Sequence, residues 1–111
     1  MFRILHRGDQ RQGAIATVEF EGAPYDAGVS FFLGNLEPGK GPGVHKHPYS
    51  ETCIVRSGRV AITVGGEVTN AGSGDIVVIG PETSHRFTAI GDEQLDMVCI
   101  HASDRFIIEW L

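Results

Sequence analysis

Apolar residues along this chain fall in short runs in which apolar and polar positions alternate with a period of two. The runs are rich in Val, Ile, Phe and Thr, the residues that fit a pleated, half-buried surface. They predict nine strands, over residues 15–21, 29–36, 44–47, 50–56, 59–64, 67–70, 75–79, 84–89 and 94–101. Glycine-bearing turns separate them. Ser57-Gly58 follows one strand, and Gly65-Gly66 sits between two runs in a hairpin position. Residues 71–74 and 90–92 read as further turns. Residues 37–43 hold two prolines and three glycines, which no strand interior tolerates, so they predict a loop. No segment keeps a helical period for three turns. The tail, residues 103–111, reads as a final strand or a short helical turn, and its Phe106, Ile107, Ile108, Trp110 and Leu111 must find packing. Nine short strands with regular turn signals imply an all-β sandwich or barrel.

Length and composition narrow this picture. The 111 residues suit one domain, 1–111, and 41% of them are hydrophobic, enough for one modest core. The fifteen glycines are dispersed, which marks turns and not a linker. The net charge is −5 and the nine basic residues are scattered, so nucleic acid and anionic membrane surfaces are not expected partners. No apolar run approaches the roughly 20 residues of a membrane span. The first residues lack the continuous apolar core of a signal peptide, and a cytoplasmic location is expected. Cys53 and Cys99 form no Cys-x-x-Cys pair and lie in apolar runs, so a disulfide framework is not expected.

One stretch carries candidate chemistry. Successive strand side chains alternate faces, so His45 and His47 point the same way. Glu51 keeps that parity if the turn at Pro48 preserves it. Two imidazoles and a carboxylate on one face make a ligand set for a divalent metal.

Gly39, His45, His47, Glu51 and Gly58 also stand at the spacing Gly-x5-His-x-His-x3-Glu-x6-Gly, which resembles the first motif of the cupin family. The segment from Gly74 through Pro81 to His85 resembles the second motif. It departs at three places: Gly80 where proline is usual, Glu82 where glycine is usual, and Ala89 where asparagine is usual. The resemblance implies a jelly-roll barrel (a double-stranded β-helix) over about residues 29–101, flanked by segments 1–28 and 102–111. It implies His85 as fourth ligand beside His45, His47 and Glu51, with metal positions left open for water or substrate. Such a set suits one divalent transition metal: Fe, Mn, Ni, Co, Cu or Zn. It also implies a dimer of single barrels. Apolar termini, Phe2, Ile4, Leu5 and the 106–111 run, need cover as well, so a homodimer is expected.

Several neighbours acquire expected roles. Tyr49 shares the parity of His47 and Glu51, and either caps the barrel mouth or hydrogen-bonds a ligand. His101 closes an apolar row of Leu95, Met97 and Cys99, as a core histidine or as an acid/base group. Tyr49 and His101 are the candidates for catalytic proton transfer. Cys53 is expected behind the metal, Phe87 on the pocket wall, Arg56 and Arg86 outside, and His6 on the surface. Two function classes follow. One is a metal-dependent enzyme acting on a small oxygen-bearing metabolite, as a dioxygenase or as a Lewis-acid isomerase, lyase or decarboxylase. The other is a non-catalytic module that binds a small ligand or a metal.

Overall fold

The computed structural model describes residues 2–111. Its strands are β1 (Arg11–Gln12), β2 (Thr17–Glu21), β3 (Ser30–Leu36), β4 (His45–Lys46), β5 (Glu51–Ser57), β6 (Arg59–Val64), β7 (Glu67–Gly72), β8 (Ile76–Ile79), β9 (Arg86–Ile90), β10 (Leu95–His101) and β11 (Glu109–Trp110). All pairings are antiparallel. A six-stranded sheet runs β1-β2-β3-β10-β5-β8, a three-stranded sheet runs β7-β6-β9, and β11 pairs with β4. This is the all-β, double-stranded β-helix architecture that the strand pattern and the motif resemblance implied.

The alternation read from sequence sets what lies inside. Leu95, Met97, Cys99 and His101 are the buried positions of β10, and Glu51, Cys53 and Val55 those of β5. They meet Val60 and Ile62 of β6 and Phe87 and Ala89 of β9 in one core between the two larger sheets. Arg56, Arg86 and His6 are exposed, on the outside as parity required.

The differences from the expected strands have local causes. The 15–21 run begins as a strand only at Thr17, because Ile15 and Ala16 take left-handed φ values of 55° and 51°. The short β1, opposite β2, has no apolar signature: its sequence is Arg-Gln, exposed. The tail resolves in favour of a strand, β11, with Trp110 opposite His45. Glu82, standing where the motif usually has glycine, adopts φ 60° all the same. Its N–H donates to the His47 carbonyl at 2.7 Å and its carboxylate meets Lys46 Nζ at 3.3 Å. The turn thus keeps the glycine conformation without the glycine.

Gly58, which closes the first motif, is required on two counts. Its φ is +81°, and an added Cβ would lie 2.5 Å from the Gln94 carbonyl oxygen. Gly66, in the β6–β7 hairpin, has no atom within 4 Å of such a Cβ. Gly58→Ala is therefore expected to cost about 2–4 kcal/mol in urea unfolding, and Gly66→Ala to change stability by no more than about 0.5 kcal/mol. Equal losses at both sites would contradict this account.

Candidate metal centre

Four side chains from four places in the chain converge inside the barrel. His45 comes from β4, His47 from the turn after it, Glu51 from the start of β5, and His85 from the bridge that pairs it with His45. All four are buried, and one donor atom from each lies within 4.8 Å of the others. Ligands about 2.1 Å from a shared ion stand about 3.0 to 4.2 Å apart, so this spread suits one metal.

The hydrogen bonds decide which nitrogens face inward. His45 Nδ1 donates to the Gly43 carbonyl at 2.7 Å, His47 Nδ1 to the Ile107 carbonyl at 3.2 Å, and His85 Nδ1 to the Thr83 carbonyl at 2.8 Å. A carbonyl oxygen only accepts, so each Nδ1 carries a proton and each neutral ring presents an Nε2 lone pair. The Nε2 atoms of His47 and His85 each stand 3.1 Å from Glu51 Oε1, which also only accepts. Acceptors converging this way repel unless positive charge lies between them. Protons on the imidazoles are one solution, and a divalent cation is the other. The donor set therefore fits a metal on its own geometry.

The charge states agree. Burial pushes the Glu51 carboxyl up, but hydrogen bonds from His101 and, when those rings carry an Nε2 proton, from His47 and His85 outweigh it and hold the group well below the usual carboxylate range. Burial lowers His45, against a raising hydrogen bond to the Gly43 carbonyl. For His85, burial works downward but the Glu51 carboxylate more than offsets it, so its pKa is raised above 6.5.

His101 is buried alongside and has the opposite tautomer. The Ile107 N–H donates to the Tyr49 hydroxyl oxygen at 3.1 Å, and that hydroxyl donates to His101 Nδ1 at 2.6 Å. Burial pushes the Tyr49 hydroxyl up, so it keeps the proton it donates. His101 Nε2 then carries the ring proton and faces Glu51 Oε2 at 3.3 Å. Tyr49 also stacks on His47, with ring centroids 5.2 Å apart and planes 6° from parallel. Tyr49, expected to cap the barrel mouth or hydrogen-bond a ligand, engages its hydroxyl with His101 and the Ile107 N–H.

Cys53 lies behind Glu51, its Sγ 3.6 Å from Oε2, fully buried. The sulfur of Cys99 faces it across the β5–β10 pair, and that contact together with burial pushes the Cys53 thiol far up. It packs as a neutral thiol. Phe87 stands beside His85 at 5.3 Å between ring centroids and walls the pocket.

The tail's part in the site is absent from the sequence pattern. The Ile107 peptide orients both His47 and Tyr49, Phe106 stacks on Phe32 at 4.1 Å, and Trp110 lies 5.0 Å from His45. The sole signal is an apolar run without an assigned place. Beside the ligands opens a cavity of about 300 Å³ reached by His45, Glu51 and His101. A larger hollow of about 390 Å³ lies on the outer sheet face, away from the ligand set.

Known proteins share this architecture. The family model "Cupin domain" matches residues 32–101. No curated protein matches the chain. Among solved structures, a mutant of Bacillus subtilis oxalate decarboxylase aligns with TM-score 0.76 and 24% identity over 86% of this chain and 27% of that one. The structure of Bacillus subtilis oxalate decarboxylase at pH 4.6 aligns with TM-score 0.77 and 17% identity over 92% of this chain and 29% of that one. The present chain thus spans little more than a quarter of the decarboxylase length. An uncharacterized protein with a double-stranded β-helix domain from Klebsiella pneumoniae aligns with TM-score 0.67 and 25% identity over 73% of this chain and 72% of that one.

The raised pKa of His85 fixes the direction of a pH effect. Below that pKa the ring is an imidazolium, and an incoming metal must displace the Nε2 proton, whereas Glu51 stays ionised throughout. Metal affinity is expected to rise about tenfold per pH unit below the raised His85 pKa and to level off above it. Competition dialysis at stepped pH measures this, and a flat profile would contradict it.

Proposed function

The chain belongs to the cupin family, and from that premise we propose that it is a metal-dependent enzyme acting on a small oxygen-bearing metabolite. The observation that carries this reading is the opposed tautomers. Three rings, each held at Nδ1 by a backbone carbonyl, aim Nε2 at the site beside Glu51 Oε1, while His101 brings a proton to Oε2. A structural metal site needs no such proton beside an open cavity.

When bound, a divalent ion supplies Lewis-acid polarisation of a substrate oxygen or, as Fe(II), redox chemistry with O2. His45, His47, Glu51 and His85 would hold it. His101 is the group placed to give a proton from Nε2 or take one there, with Tyr49 holding its Nδ1. The cavity beside these groups offers Phe32, Phe87 and Trp110 as an apolar surface for a substrate's carbon body. Mn(II) centres are described for the oxalate decarboxylase neighbour, and its fold likeness leaves the metal of this chain among Fe, Mn, Ni, Co, Cu and Zn.

Protein purified without added metal is expected to retain on the order of one divalent ion per chain, and its Tm is expected to fall on chelation. In a turnover screen of carbonyl, enol and carboxylate compounds, the metal-loaded chain is expected to convert at least one. His101→Gln should slow that conversion about 100-fold with metal content unchanged. Absence of metal, or an unaffected His101→Gln rate, would overturn the corresponding part. Tight binding with no conversion would mark the chain as a non-catalytic binding module.

The apolar chain termini are one surface for the expected homodimer, and the six-stranded sheet offers a second. Of the C-terminal apolar run, Phe106 packs on Phe32 while Trp110 and Leu111 stay exposed, and the outer face of the six-stranded sheet is apolar from β2 to β8. Val18, Leu33, Val98, Ile54 and Ile76 form one cross-strand row. Phe20, Phe31, Ile100, Thr52 and Val78 form the next. Face-to-face pairing of two such sheets covers both rows. Sedimentation at micromolar concentration is expected to give twice the chain mass, and Ile54→Asp to return it to one chain with metal content retained. A single-chain mass for the unaltered protein would refute pairing.

A further inference from the structure

The wall of the metal cavity is mainly apolar, with Phe32, Leu36, Phe87, Met97, Ile108 and Trp110 among its residues. Among the described residues no Lys or Arg lines it. The polar groups that do reach it already have partners. Glu19 at the mouth is paired with Arg11 Nε at 3.0 Å, the Thr17 hydroxyl donates to the Ala14 carbonyl at 2.6 Å, and His101 Nε2 faces Glu51. The metal is therefore the single positive charge this cavity offers a ligand.

From this we propose that the site takes a small, mainly apolar molecule with one anionic oxygen chelate, of the enolate or phenolate kind, and that it discriminates against dicarboxylates. The inference rests on the metal-centre reading above and narrows its substrate class. A dicarboxylate can place its charge on the metal only in part, and the remaining carboxylate charge would be buried against apolar side chains with no Lys or Arg near it and His101 Nε2 already held by Glu51. An enolate or phenolate places its single negative charge on the metal and lays its carbon body on Phe32, Phe87 and Trp110. The 300 Å³ volume accommodates a molecule of roughly ten to fifteen non-hydrogen atoms at interior packing density.

A matched pair of chelators tests the idea in Co(II)-loaded protein, with the visible absorption of the ion as the readout. A β-diketone and malonate close the same six-membered chelate ring, but malonate carries a second negative charge. Each affinity is divided by the affinity of the same chelator for free Co(II). On that scale 1-phenyl-1,3-butanedione is expected to bind at least tenfold better than malonate, and Trp110→Ala to reduce its advantage at least threefold. Malonate binding equally well or better would overturn the substrate class and leave the metal centre standing, because the Co(II) spectrum would still be seen. An unchanged preference in Trp110→Ala would overturn the apolar-wall argument. A chain that develops no Co(II) band would overturn the metal-centre reading and this inference with it.

Discussion

Glu51 is the group on which the site depends. A carboxylate this deeply buried persists as an anion only where donors or cations surround it. Here His47 and His85 approach one oxygen and His101 the other. The rings approach as they do because backbone carbonyls and one tyrosine hydroxyl fix the far side of each. The charge state of a single carboxyl is thereby tied to the backbone of distant segments: Gly43, Thr83 and Ile107, the last acting on His101 through Tyr49 as well.

That dependence explains why the C-terminal segment follows the course it does. It pairs β11 with β4, stacks Phe106 on Phe32, and turns the two polar groups of Ile107 toward two different side chains of the site. An apolar tail used this way lines the cavity with Ile108 and Trp110 and supplies hydrogen bonds that fix tautomers. Its removal would leave His47 free to rotate and would undo the chain of donors that gives His101 its Nε2 proton. The tail belongs to the site as much as β5 does.

The two faces of the six-stranded sheet divide the labour. Its inner face carries Glu51, Cys53, Cys99 and His101, ending in the ligand cluster, and its outer face carries an apolar stripe. Strand alternation produces both from the same residues in sequence, since each step along a strand switches sides. The inner face is closed by the three-stranded sheet, whereas the outer face leaves its apolar stripe, with Ile54, Ile76 and Val78, exposed.

Much of this is legible in the chain itself. The period-two pattern and the glycine turns specify an all-β fold, because those signals are local. His45, His47 and Glu51 are legible as one cluster because parity along a strand is also local, and Gly58 because its motif spacing marks a position where a side chain would strike the neighbouring strand. His85 is legible through a motif that departs at Glu82, and the turn there still takes the left-handed φ that glycine would supply. What tertiary structure alone decided is non-local. The meeting of Tyr49 with His101 joins groups 52 positions apart. The hold of Ile107 on His47 spans 60 positions, and the facing of Cys53 and Cys99 spans 46. No sequence period records such contacts. They arise when strands distant in the chain become neighbours in a sheet, and when a tail with no pattern of its own takes the packing that the barrel leaves open.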